Sequence, residues 1–110
     1  MFTKTDKKKI NELMGVIMLL KTPEEAEKFF RDLLTEKELI ECGNRWKAAQ
    51  MLRDKESYIA IAKETGLSST TIARVSKWLG EGAGGYKIIL QRMQSGKKHH
   101  NLSSIGKGLC

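Results

Sequence analysis

The segment Tyr58-Ile59-Ala60-Ile61-Ala62-Lys63-Glu64-Thr65-Gly66-Leu67-Ser68-Ser69-Thr70-Thr71-Ile72-Ala73-Arg74-Val75-Ser76-Lys77-Trp78-Leu79 decides how this chain is read. It divides into two short stretches of helical apolar spacing around Thr65-Gly66-Leu67. Ser57 and Ser68 stand at the two helix starts, where a serine hydroxyl accepts a free backbone N–H. Gly66 supplies the left-handed backbone that ends the first helix, and Leu67 plugs the corner. Ala62 is small where the second helix crosses the first. Ile72 and Val75, three apart, pin the second helix to the core. The pattern predicts a helix-turn-helix over about 57–79.

The outward side of the second helix carries the chemistry. Ser68, Ser69, Thr70 and Thr71 lie at its N-terminus, and Arg74 and Lys77 continue outward. A helix N-terminus has partial positive charge and free N–H groups, which favour phosphate. Short hydroxyl side chains there allow close approach to base edges in the major groove of double-stranded DNA. Arg74 and Lys77 read first as phosphate contacts, the commoner kind. A plain helical hairpin with no DNA role fits the spacing too. The basic balance and the hydroxyl cluster favour DNA.

Working outward, Thr35-Glu36-Lys37-Glu38 opens a longer helix with a capping box. Leu39, Ile40, Gly43, Trp46, Ala49 and Leu52 run along one side, and Cys42, Ala48 and Met51 widen the stripe. A helix apolar on more than one side needs more than one neighbour, and a second subunit can supply it. Cys42 reads as a buried small hydrophobe, and Trp46 and Trp78 as core or interface residues. Before this helix, Thr22-Pro23-Glu24-Glu25 starts another, with Glu25 able to bond back to Thr22. It carries Ala26, Phe29, Phe30 and Leu33 on one face. The first helix is capped near Asp6, carries Ile10, Leu13, Met14 and Ile17, and ends around Leu20. After the central motif, Gly80, Gly82, Gly84 and Gly85 form a break. Tyr86 to Met93 makes a last short helix, and residues 95–110 read as a basic, disordered tail. No stretch alternates at period two, so the chain is all-α. Residues 1–94 form the helical domain.

The 110 residues carry a net charge of +7. Residues 1–22 hold +3 and residues 82–110 hold +5, while 23–56 hold −2 and 57–81 hold +1. A basic domain of this size suits a polyanionic partner, and basic ends read as solvated tails or as arms reaching phosphate. Two cysteines, Cys42 and Cys110, make no disulfide framework, which suits a reducing cytoplasm. The longest apolar run, Val16 to Leu20, is far shorter than the roughly 20 residues of a membrane span, so no membrane association is expected. Lys7-Lys8-Lys9 before Ile10 to Leu20 lacks a cleavage site and is not read as a secretion signal. No nucleophile–base set and no phosphate-cradling loop after a strand is apparent, so an enzyme is not expected. No cofactor is expected either. His99-His100 in a tail is too small a set to fix a metal.

The ordered set Leu34-Thr35-Glu36, Gly43-Asn44-Arg45-Trp46, Glu64-Thr65-Gly66-Leu67-Ser68, Thr71-Ile72-Ala73-Arg74-Val75 and Gly84-Gly85-Tyr86-Lys87 resembles the Trp repressor superfamily. Its nearer likeness is to the YerC/YecD-type branch. The resemblance spans roughly Pro23 to Leu90. It implies an all-helical, intertwined homodimer that binds operator DNA as a transcriptional regulator. It also implies a candidate effector pocket. Arg45 and Arg74 match the two arginines that sandwich the indole of bound tryptophan in the Trp repressor proper. An arginine plane can stack on a ring and hydrogen-bond a carboxylate. The same pocket departs from the pattern, with Val75 where the repressor has glycine and Trp78 where it has serine. Both add bulk, so tryptophan is not the expected effector. Trp78 or a neighbour fills the site, or a different small molecule binds. Arg45 can equally pair with Glu41 or with an acid on the partner chain. Two other readings stay open: a dimeric protein-interaction module, and a non-specific nucleic-acid binder that uses its basic termini.

Overall fold

The computed structural model describes residues 2–99, with side chains described through Gly96. Among the described residues the elements are six helices and no strand: α1 (Lys4–Ile17), α2 (Pro23–Leu33), α3 (Glu36–Arg53), α4 (Tyr58–Thr65), α5 (Ser69–Glu81) and α6 (Gly85–His99). The chain divides into two compact units after Thr35.

The first unit holds α1 and α2. Thr3, rather than Asp6, caps α1: its Oγ1 accepts from the Asp6 N–H at 3.0 Å, and its own N–H donates to Asp6 Oδ2 at 3.2 Å. This reciprocal box satisfies two free donors where an Asp6 cap would satisfy one, which moves the helix start three residues upstream. Thr22 caps α2 as the sequence indicates, accepting from the Glu25 N–H at 3.1 Å. The Glu25 carboxylate takes the Lys21 N–H at 2.9 Å, one residue before the expected partner. Phe29 and Phe30 meet edge to face, with centroids 5.5 Å apart. Neither helix holds a fully buried residue.

The second unit holds α3 to α6. Its core consists of Ala48, Ala49 and Met51 from α3, Ile61 from α4, and Ile72 and Val75 from α5. Ala48 and Ala49 are small, so α4 and α5 can both pack closely on the second half of α3. Each large aliphatic buried this way contributes about 1.5–3 kcal/mol. Leu90 brings α6 in, and Trp46 of α3 stacks on Tyr86 of α6 with centroids 6.3 Å apart and planes 20° from parallel.

The first half of α3 is different. Cys42 is exposed and Ile40 is 57% exposed in the single chain, so Cys42 is not the buried hydrophobe the stripe suggested. The helices that cross α3 cover only its C-terminal half. That end closes in a Schellman arrangement, with the Glu56 N–H on Met51 O and the Lys55 N–H on Leu52 O. Lys55 takes the left-handed position (φ +63°) usually held by glycine.

Helix α6 runs through Ser95 to His99, where the sequence suggested a tail. Gln94, Ser95 and Gly96 break the apolar spacing but not the backbone ladder, since no proline removes a donor. The remaining tail, residues 100–110, lies outside the described residues.

Candidate nucleic-acid interface

The corner between α4 and α5 is built by three residues. Gly66 sits at φ +73°, and its N–H donates to Ala62 O at 2.8 Å. An L side chain in that conformation costs about 1–2 kcal/mol. Thr65 is 7% exposed, and its hydroxyl donates to Ile61 O at 2.7 Å while accepting from the Leu67 N–H at 3.2 Å. One hydroxyl thus joins the last turn of α4 to the turn itself. Leu67 packs against the core, as its place in the motif requires. Sequence reasoning named Gly66 and Leu67 and missed Thr65. The available signal was a hydroxyl residue just before a helix-ending glycine, able to bond back four residues.

Beyond the corner, Ser68 caps α5. Its Oγ accepts from the Thr71 N–H and donates to Thr71 Oγ1, both at 3.1 Å. Ser68, Ser69 and Thr70 are exposed and Thr71 is half-buried. Ile72 and Val75 are fully buried, which fixes the rotation of the helix. At 3.6 residues per turn, Thr70, Arg74 and Lys77 then stand on the opposite side. Arg74 and Lys77 are exposed there. No acidic residue lies in the first turn of α5, so the partial positive charge of the helix start is not offset locally. The six residues singled out as DNA contacts therefore lie either at one helix start, where Thr71 is partly covered, or along the outer face that follows it. Glu81 follows Lys77 on that face and sets its acidic limit.

The four residues of the candidate effector pocket are less uniform. Val75 belongs to the core. Trp78 is 41% exposed, and Arg74 is exposed with it on α5. Arg45 on α3 binds Glu41 at 2.7 Å, one turn away, while its Nε is buried and has no partner among the described residues.

The far end of α5 is held by two features that the sequence reading took for a flexible glycine break. Gly80 is still helical, and its carbonyl accepts from Lys87 Nζ of α6 at 3.1 Å. A cation at the last carbonyls of a helix complements its dipole. Gly82 lies so close to the preceding turn that a Cβ would stand 2.5 Å from Trp78 O. The break itself is confined to residues 82–84. Among the described residues no group of three or more His, Cys, Asp or Glu could hold a metal, and no helix is long and apolar enough to cross a membrane. The His99-His100 pair lies outside the described side chains.

A family model described as Trp repressor protein matches residues 8–94. The chain belongs to the Trp repressor family. It is 38% identical over 87 residues to the uncharacterised protein YerC of Bacillus subtilis strain 168, covering 79% of this chain and 84% of YerC. The crystal structure of a TrpR-like protein from Eubacterium eligens matches with a TM-score of 0.76 and 36% identity, over 79% of this chain and 90% of that one. A candidate Trp repressor from Staphylococcus aureus matches with a TM-score of 0.75 and 33% identity, over 84% and 96%. The Trp repressor match begins within α1 and ends within α6, so it includes the whole corner and the outer face of α5.

Proposed function

We propose that this chain is a sequence-specific DNA-binding transcriptional regulator that works as a homodimer and does not respond to tryptophan. The observation that carries the reading is the division of α5. Its inner face is locked by Ile72 and Val75, and its outer side and start present Ser69, Thr70, Thr71, Arg74 and Lys77. A rigid helix with a hydroxyl-rich, acid-free first turn suits insertion into a major groove. The net charge of +7 supplies general attraction to phosphate. Family membership favours this use over a helical hairpin of another purpose. In a homodimer two such helices would meet half-sites about 34 Å apart, one helical turn of DNA. The uncovered first half of α3, with Ile40 exposed, favours a second copy of the chain.

Bulk at Val75 and Trp78 and the commitment of Arg45 to Glu41 speak against a tryptophan pocket. Calorimetric titration with L-tryptophan should give no saturable heat, and micromolar saturation would overturn that part of the reading. The main test is selection of bound sequences from a random DNA pool, with and without amino acids. A two-fold symmetric motif whose affinity falls steeply with salt is expected. Absence of any salt-sensitive binding would favour the protein-interaction reading. Binding without a motif, lost on removal of residues 95–110, would favour a non-specific role for the basic ends.

A further inference from the structure

Away from the outer face of α5, the end of α3, the last turns of α5 and the middle of α6 enclose an open groove of about 530 Å³. Its apolar part is Leu79 and Leu90, the latter 7% exposed. Its polar part is Arg53, Lys87, Gln91, Gln94 and Ser95. Among the described residues no acidic side chain lines it.

Both cations are held in place with donors to spare. Arg53 Nε donates to Asp54 Oδ1 at 3.1 Å, and its Nη groups have no partner among the described residues. Lys87 Nζ donates to Gly80 O at 3.1 Å, and an ammonium has two further N–H groups. Fixing one donor of each head lowers the entropy lost when the others are used. Two hydrogen-bonded cations, two amides and an apolar floor thus line one open groove whose volume is typical of small-molecule clefts.

The geometry points to a binding site in this groove for a small amphipathic carboxylate, a molecule with one carboxyl group and a short apolar body. The carboxylate would accept from the Arg53 fork and the Lys87 ammonium, giving charge-assisted hydrogen bonds. The apolar body would cover Leu79 and Leu90. A cation would meet like charge, and a neutral apolar molecule would leave the charged donors unused. A bare phosphate could use the cations but not the floor. The site uses none of the residues proposed to touch DNA and stands whether or not the chain binds DNA.

The test is titration of the ¹⁵N-labelled full chain with acetate, butanoate, hexanoate and, as the neutral control, hexanol. Hexanoate should shift the amides of Leu79, Gly80, Lys87 and Leu90 in a saturable way. Affinity should rise about three- to fourfold for each methylene buried along the series. Hexanol should bind at least about tenfold more weakly than hexanoate. Lys87→Met and Arg53→Met should each weaken hexanoate about tenfold while leaving the helical circular dichroism unchanged. Should Lys87→Met loosen α6, Arg53→Met and Gln91→Glu, which sets a like charge beside the ligand, carry the test. Lack of saturable shifts would overturn the proposal. So would shifts centred on exposed Ile59, equal binding of hexanol, or indifference to all three variants. None of these outcomes bears on the DNA selection, and failure of that selection leaves this site standing.

Discussion

The two units of the chain use the same kind of amphipathic helix and end with different amounts of burial. In α4 and α5 the apolar positions Ile61, Ile72 and Val75 reach full burial. In α1 and α2 none does, with Met14 48% and Leu33 46% exposed, and in the turn that joins them Met18 is 81% and Leu19 72% exposed. What holds the helices of the first unit locally is capping at Thr3 and Thr22, worth about 1 kcal/mol per cap. The second unit adds close packing worth several times that. Helical periodicity therefore says where a helix lies and which face is apolar, but not whether that face finds a cover within one chain. In a homodimer the uncovered faces of the first unit and of the first half of α3 are the natural contacts.

The largest test of this contrast is Ile61→Ala. It should lower unfolding stability by about 2–5 kcal/mol in urea denaturation, because a fully buried side chain leaves a cavity. Phe30→Ala should cost less in dilute protein, and its cost should grow with protein concentration if a second copy covers that face. Equal, concentration-independent losses would erase the distinction. Next, Thr65→Val should cost about 1–3 kcal/mol, since it leaves the Leu67 N–H without its acceptor and removes the hydroxyl's bond to Ile61 O. Substitutions on the outer side of α5 should leave stability nearly unchanged and move DNA binding. Lys77→Ala should weaken all sequences alike and reduce the salt slope by about 1, whereas Thr71→Ala should alter the selected motif. If Thr71→Ala changes neither affinity nor motif, the assignment of α5 as the reading helix fails. Among the variants expected to lose stability, the smallest loss belongs to the first unit. Thr22→Ala should cost about 1 kcal/mol and speed amide exchange in α2, with the amides of α4 and α5 unmoved.

Much of the fold was legible because the central segment is well punctuated. Ser57, Gly66 and Ser68 each impose a local backbone state, and the observed α4 and α5 begin and end within two residues of the expected limits. The all-helical class followed from apolar spacing alone. Features set by competition between neighbours were harder to read. Asp6 is a good cap in isolation and loses to Thr3 because the pair satisfies two donors. Cys42 sits in an apolar stripe, yet burial depends on which helices cross α3, and they cross further on. Thr65 gave no periodic signal, since its value lies in two hydrogen bonds at a corner rather than in an apolar contact. Lys87 looked like one more surface cation, and only the meeting of α6 with the end of α5 shows that it closes a helix terminus. The residues proposed to contact DNA were visible as a group because they follow directly from the turn. The groove at the other end of α5 was not, since its residues come from three helices far apart in sequence.

The different settings of the two tryptophans give the protein an optical readout of its own. Trp46 is half-buried and stacked on Tyr86, and its emission should report the integrity of the second unit. Trp78 is 41% exposed and lies one turn beyond Arg74 on α5. A polyanion docking along that helix would change the polarity around Trp78 while leaving the Trp46 stack alone. A Trp46→Phe protein would then be a label-free fluorescent sensor of its own target.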